Sequence, residues 1–273
     1  MLRGYYSAAS GMLAQQRRQE ALSNNIANTL TPGYKADEAV LRAFPEMLMQ
    51  RLDSNTLPTD RPLRFATQKE LGSINTGVYI QETIPDFIQG QLRQTGLTTD
   101  LALVDGIYPD ETGSLFFAIQ GLDGETRYTR NGNFTVDQEG YLVTNQGQYI
   151  LDTNNNRIQT DGMEFTVSPD GSIQFEGNQI PLQLSYVSDV SQLVKEGNDQ
   201  FRNEGGANVV DVRQTAGATY QIQQGFLEGS NVDQTRTMTE MMRTYRLFES
   251  NQKVLQAYDR SMEKAVNEIG RLR

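Results

Sequence analysis

Histidine, cysteine and tryptophan occur nowhere in this chain of 273 residues. The lack of cysteine rules out a disulfide framework, a thiolate nucleophile and sulfur-ligated zinc. The lack of histidine rules out imidazole acid–base catalysis and any Ser-His-Asp constellation. Apolar residues make up 37% and mean hydropathy is −0.55, and no stretch approaches the length of a membrane-spanning helix. No basic-then-apolar leader opens the sequence. The absence of cysteine is compatible with a chain that stays in the cytosol or leaves by an apparatus needing no cleaved signal. Positive charge is also in short supply, 24 Lys and Arg against 34 Asp and Glu. The net charge of −10 argues against nucleic acid or an anionic membrane as the main partner.

The catalytic route left open is a pair of carboxylates, as in glycoside hydrolysis, with peptidoglycan as the substrate such a pair would suit. The carboxylates here sit mostly beside turn glycines or on helix faces, where they form turns or solvated charge. The run from Asp152 to Asn156 has the oxygen spacing of a calcium loop. Arg157 stands where the sixth-position glycine belongs and Met163 where the twelfth-position glutamate belongs, so the run reads as a polar hairpin loop. Asn133-Phe134-Thr135 matches a glycosylation sequon but lies in a hairpin pattern. The expectation is a protein with no catalytic residue, no cofactor and no metal site.

What is present is concentrated at the ends and in a patterned middle. Residues 1–24 and 230–273 each carry +2, leaving −14 on the residues between. This reads either as a solvated centre with ends meant for packing or as a chance fluctuation. At the N-terminus Leu2, Tyr5, Ala9, Met12 and Ile26 follow helical spacing, with Tyr6, Leu13 and Leu22 beside them. Gln16, Gln19 and Ser23 interrupt the track, so the stripe is thin and the helix marginal alone. At the other end Met238, Met241, Tyr245, Phe248, Gln252, Leu255, Asp259, Met262, Val266 and Ile269 alternate steps of three and four. That cadence fits a coiled-coil-like seam, or else the core face of an ordinary long helix. Ser230, Asn231, Val232 and Asp233 supply cap candidates ahead of it.

Prolines 45, 58, 62 and 85 punctuate residues 36–90, which read as an extended linker. Within it Ala39–Leu52 reads as a short helix, with Val40, Phe44, Met47 and Leu48 on one side. Residues 91–228 are β-patterned. Asn131-Gly132, Glu139-Gly140, Gln146-Gly147, Asp161-Gly162, Asp170-Gly171 and Gly177-Asn178 mark turns between short strands. The strands fall at Arg127–Arg130, Asn133–Val136, Tyr141–Thr144, Gln148–Leu151, Met163–Val167, Ser172–Glu176 and Pro181–Val187. The fold class expected is mixed α and β: terminal helices pairing as a coiled-coil-like unit and a central antiparallel all-β barrel or sandwich. The expected organisation is an N-terminal helix in 1–35, linker in 36–90, β domain in 91–228 and C-terminal helix in 229–273.

Asn24-Asn25-Ile26-Ala27-Asn28 followed by Thr31-Pro32-Gly33-Tyr34-Lys35 resembles the N-terminal signature of bacterial flagellar axial proteins, the rod and hook family. Gly90–Gly96, Asp100–Leu103 and Leu115–Ile119 resemble successive strands of that family. Tyr128–Phe134 with Gly140–Thr144, and Gly225–Asp233 with Glu240-Met241-Met242, continue the likeness to the end of the chain. The ordered set is similar to the flagellar basal-body rod proteins, the distal-rod type in particular. Two departures stand out: the insertion Ile107–Ser114, and Asp37-Glu38 where many relatives carry basic residues.

The resemblance implies a non-enzymatic building block of the basal-body rod, a helical tube that carries torque from motor to hook. It implies an inner layer in which Leu2, Tyr5, Ala9, Met12 and Ile26 pack with Met238, Met241, Tyr245, Phe248, Leu255, Met262, Val266 and Ile269. It assigns Asn24, Asn25, Ala27, Asn28, Pro32, Gly33, Tyr34 and Lys35 to the helix end and the exit into the linker. Asn25 and Asn28 also read as plain helix-stop residues. The implied partners are further copies, neighbouring rod and hook proteins and the flagellar export apparatus, with no nucleic acid and no membrane insertion; the implied place is the flagellar basal body, outside the cytoplasm. The competing class is a secreted cell-wall-active β-domain protein, a carboxylate-pair hydrolase or an adhesin, with helical arms.

Overall fold

The computed structural model describes residues 2–57, 63–110, 112–121, 123–197 and 199–269, with side chains for these except 2, 49–57, 63–69 and 269. Leu2 and Ile269 are therefore placed on helices, while their side chains lie outside the described set. By its contacts the chain divides into two units. One holds Met1–Ser23, Glu38–Thr83 and Met238–Arg273; the other holds Asn24–Asp37 and Ile84–Thr237.

The first unit is built on two long helices, α1 (Leu2–Ala27) and α2 (Gln234–Ile269). They run antiparallel, because Gly4 lies against Tyr258, Gly11 against Asn251, and Arg18 pairs with Glu240 at 3.5 Å. The α1 contact positions recur every seven residues, and two of them are glycines that leave room for the partner's side chain. On α2 the positions withdrawn from solvent are Thr237, Met241, Thr244, Phe248, Asn251, Leu255, Tyr258, Met262 and Ala265, with Glu240 and Glu249 beside them. Steps of four and three alternate throughout, a mean of 3.5 residues. Asp233 caps the helix, its carboxylate accepting from the N–H groups of Thr235 and Arg236 at 2.9 and 3.0 Å, as an N-cap aspartate should.

Four strands complete this unit: β1 (Asp37–Ala43), β2 (Met47–Leu57), β3 (Leu63–Ile74) and β4 (Val78–Pro85). β1 pairs with β4, and β2 with β3 forms a long antiparallel hairpin from Met47↔Ile74 to Leu57↔Leu63. The short helix expected over Ala39–Leu52 is not there; the stretch is β1, a break at Pro45 and β2. Its helix-like spacing lost to partners far along the chain. The Phe44 N–H donates to the Gly77 carbonyl at 3.0 Å, Arg42 reaches Gln81 at 2.9 Å, and the rings of Phe44 and Tyr79 lie 5.1 Å apart. Strand pairing of this kind routinely overrides local pattern.

The second unit is antiparallel β. Its six-stranded sheet runs in the order Leu193–Gly197, Gln200–Asn203, Thr126–Thr129, Ser114–Gln120, Leu184–Val187, Val209–Asp211. The two outer strands are not paired with each other, so the sheet does not close and no barrel forms. The central strand SLFFAIQ is buried on both faces. Leu115, Phe117 and Ile119 enter the main core with Leu101, Phe134, Ile173 and Leu184, while Phe116 turns to a smaller core with Val187, Leu193 and Phe201. Side chains alternating across the pleat make one strand serve two cores. Gln148–Leu151 joins its neighbours by isolated bridges such as Ile119↔Ile150 and Val143↔Tyr149, not as a full strand. The turn near 177 is a two-residue hairpin at Glu176-Gly177, both at positive φ (45° and 84°) between the paired Phe175 and Asn178, the type I′ geometry.

Candidate functional site

The most heavily built polar arrangement lies in the second unit, where the signature residues of the N-terminal segment meet the last strand before α2. Tyr34, Lys35 and Asn25 are buried, at 2%, 1% and 4% exposure. The Asn25 amide pairs with both backbone groups of one residue. Its Nδ2 donates to the Asp37 carbonyl and its Oδ1 accepts from the Asp37 N–H, each at 2.9 Å. The Tyr34 hydroxyl has two acceptors in reach of its one proton, Asn25 Oδ1 at 3.0 Å and Asp37 Oδ2 at 3.3 Å. Lys195 closes this side, 2.9 Å from Asp37 Oδ2 and 4.2 Å from the centre of the Tyr34 ring, a cation on an aromatic face.

Lys35 points the other way. Its ammonium donates to Glu228 Oε1 at 2.7 Å, to the Ile88 carbonyl at 2.9 Å and to the Phe87 carbonyl at 3.4 Å. Three acceptors for three N–H groups is the geometry of the charged form. Glu228 Oε2 accepts from Arg130 Nε at 2.7 Å, and its Oε1 also takes the Gly90 N–H at 2.9 Å. Arg130 extends to Asp105 Oδ2 and to the Leu115 carbonyl, both at 2.6 Å. The Tyr108 hydroxyl donates to Asp105 at 2.6 Å. Two cations and two carboxylates thus alternate in a chain of which three members, Lys35, Glu228 and Arg130, are dry. Burial acts to raise the Glu228 carboxyl, but the charges of Arg130 and Lys35 outweigh it and hold the group below the ordinary range. Burial, reinforced by Arg130, draws the Lys35 ammonium below its usual value against the pull of Glu228. Beside Asp37, the buried Asp199 carboxyl is pushed up to about 6, first by burial, opposed by Lys195 and assisted by Asp37.

Backbone geometry admits the ring of contacts only because of glycine. Gly33 has φ +72° and gives its N–H to the Glu228 carbonyl at 2.8 Å. A β-carbon there would meet the Asn131 nitrogen and the Arg130 carbonyl carbon. Asn231, one of the cap candidates, instead ties the ends together. Its Oδ1 accepts from the Ala36 N–H at 2.7 Å, and its Nδ2 donates to the carbonyls of Asp86 and Ile88 at 2.7 and 3.2 Å.

The remaining signature residues serve the helix end. Asn28 donates to the Asn24 carbonyl and side chain, each at 2.9 Å, and accepts from Thr31 at 3.1 Å. Asn24 and Ala27 are exposed, and Pro32 is partly buried. Of the packing residues, Tyr5, Ala9, Met12 and Ile26 on α1 and Met241, Phe248, Leu255 and Met262 on α2 are partly buried. Met238, Tyr245 and Val266 are exposed, at 42%, 51% and 73%. The covered stripe of α2 is thus turned one residue from the apolar one at every second step. Thr237, Thr244, Asn251, Tyr258 and Ala265 occupy it in their place.

Sequence patterns assign no role to Arg130, Glu228, Asp105 or Lys195, and make Asn231 only a cap candidate. The signal available was that charged and amide residues recur inside otherwise strand-like motif strings, where solvent-facing charge needs no fixed neighbours. Among the described residues no group of side chains is arranged to hold a metal ion. Asp152 caps its own loop, accepting from the N–H groups of Asn154 and Asn156 at 2.8 Å. No helix among them is long and apolar enough to cross a membrane. The arrangement binds the chain to itself.

Three family models match in chain order. "Flagella basal body rod protein" covers residues 6–35, "Flagellar hook protein FlgE/F/G D1 domain" covers 112–175, and "Flagellar basal body rod FlgEFG protein C-terminal" covers 223–268. Over 280 residues spanning the whole of both chains, the sequence is 43% identical to the flagellar hook-basal body complex protein FlhO of Bacillus subtilis (strain 168). It is 33% identical to the flagellar basal-body rod protein FlgG of the same organism, with 98% of this chain and 99% of that one covered. It is 30% identical to the rod protein FlgF of Caulobacter vibrioides, with 98% of each covered.

Proposed function

We propose, from the fact that this chain belongs to the flagellar basal-body rod protein family, that it is a rod subunit whose helical unit is completed by neighbouring subunits. Members of this family are structural flagellar proteins and not enzymes, which removes the carboxylate-pair hydrolase. Its role is structural and its place is the flagellar basal body.

The observation that carries the finer reading is the state of the first unit. Its buried apolar side chains, among the described residues, are only Ala8, Ala14, Leu22 and Ile80. It leaves Tyr6, Leu13, Phe44, Met47, Leu48, Leu71, Met242, Tyr245, Leu247, Val254 and Val266 exposed. Apolar surface on this scale marks an interaction surface. On α2 the exposed Met238, Tyr245 and Val266 flank the covered stripe on one side, and Leu247 and Val254 flank it on the other. A helix with apolar residues on both flanks of its seam suits more than one helical neighbour.

In this reading α1 and α2 pair as a coiled-coil-like unit, and further copies and other rod and hook proteins cover the flanks. Heterologous contacts that do not close then generate the helical tube that carries torque. The signature Asn24–Lys35 fixes the end of α1. The chain leaves the cell through the flagellar export apparatus. Tyr245→Asp tests it. Tyr245 is half exposed in the single chain, so the free subunit should keep its circular dichroism and melting temperature while motility and incorporation into basal bodies are lost. Normal motility in that strain would refute the reading.

A further inference from the structure

We infer that the buried ion-pair chain is a completion latch: the stretch Asn24–Asp37 and the strand Phe226–Glu228 order together or not at all. The two are joined across 193 residues by the Lys35–Glu228 pair. Neither can be withdrawn without stranding charge. Without Phe226–Glu228, the ammonium of Lys35 and the guanidinium of Arg130, both dry, lose the carboxylate they share. Without the N-terminal stretch, Glu228 loses Lys35 and is left to share the single guanidinium of Arg130 with Asp105, one negative charge in excess. Uncompensated buried charge is among the most destabilising states a fold can hold.

The backbone repeats the same logic. Gly33 donates to the Glu228 carbonyl, Gly229 donates to the Gln91 carbonyl at 2.9 Å, and Asn231 holds Ala36. Three stretches distant in sequence, near 33–37, 86–92 and 226–231, thus share one set of hydrogen bonds. Loose docking is blocked as well, since Gly33 abuts the backbone at Arg130 and Asn131, and Gly90 abuts Gly229. A chain lacking its last sixth cannot hold its N-terminal junction in place. The ordered junction is therefore displayed only by a chain that is present through Asn231. This holds whichever neighbours surround the helices, so its failure would leave the assembly reading untouched.

Hydrogen exchange of the full-length free chain at rising sub-denaturing urea tests the latch without any substitution. The N–H groups of Gly33, Ala36, Asp37, Gly90 and Gly229 should converge on one opening event with one urea slope. In Lys35→Met all of them should exchange at least ~100-fold faster together, while Leu142–Thr144 and Ser172–Phe175 hold. Separate openings for 33–37 and 226–231 in the wild-type chain would overturn the inference. So would acceleration in Lys35→Met confined to 33–37. If Lys35→Met does not fold, the wild-type slopes alone decide.

Discussion

In the β unit Leu101, Leu115, Phe116, Phe117, Phe134, Leu184 and Phe201 are all buried to 2% exposure or less, and a dry ion-pair chain is threaded beside them. In the helical unit the buried apolar side chains among the described residues are two alanines, a leucine and an isoleucine. The helices are not poor in apolar residues; they leave Tyr6, Leu13, Met242, Tyr245, Leu247, Val254 and Val266 facing outward. The β unit reads as a finished domain whose energy lies within one chain. The helical unit exposes apolar surface of the kind that marks an interface, and under the proposed function its hydrophobic gain comes from other chains. A substitution should therefore show its effect in different assays according to the unit it strikes.

The sharpest contrast comes from Glu228→Ala, which leaves Lys35 and Arg130 buried without their shared partner. The β unit should lose about 3–5 kcal/mol, read from urea unfolding by circular dichroism or tyrosine fluorescence. An effect under 1 kcal/mol would mean the ion pairs are ornamental. Asp199→Asn should act in the opposite direction. The folded carboxyl titrates near 6, against 3.8 for the ordinary group. Burying its ionised form therefore costs stability that appears as pH rises from about 4 to about 6. The asparagine, which tolerates the φ of +57° here, should stabilise the protein by about 2–3 kcal/mol at pH 8 and by nothing below pH 4. Equal melting curves of the two proteins at pH 8 would contradict this. Gly33→Ala should cost about 1–3 kcal/mol through its left-handed backbone and its contact with Asn131, and a stabilised variant would deny that the junction is tight. The smallest effect on the free chain belongs to Tyr245→Asp, within about 0.5 kcal/mol, although it should be the most damaging to motility.

Much of the β unit was legible because its turns are written in local chemistry. Glycines 140, 147, 162 and 171 sit at positive φ between short strands, as their turn pairs imply. The Asp37–Pro85 strands were not legible, because Val40, Phe44, Met47 and Leu48 satisfy a helical spacing while their real partners lie up to some forty residues away. The seam of α2 was legible as a period but not as a face. Apolarity pointed to Met238, Tyr245 and Val266, yet the single chain covers Thr237, Thr244 and Ala265, small residues that permit close approach. The signature string marked Asn25, Gly33, Tyr34 and Lys35 as special. Nothing local could say that Lys35 answers to Glu228, because that pairing exists only once the sheet has brought the two ends together.

Hydrogen exchange compared between the free subunit and the same subunit in purified basal bodies tests the central claim most directly. α2 from Thr237 to Ala265 should exchange readily in the free chain and become strongly protected on assembly. The strands Ser114–Gln120 and Leu184–Val187 should be equally protected in both. An α2 already as protected as those strands in the free subunit would show instead that the helical unit is complete in one chain.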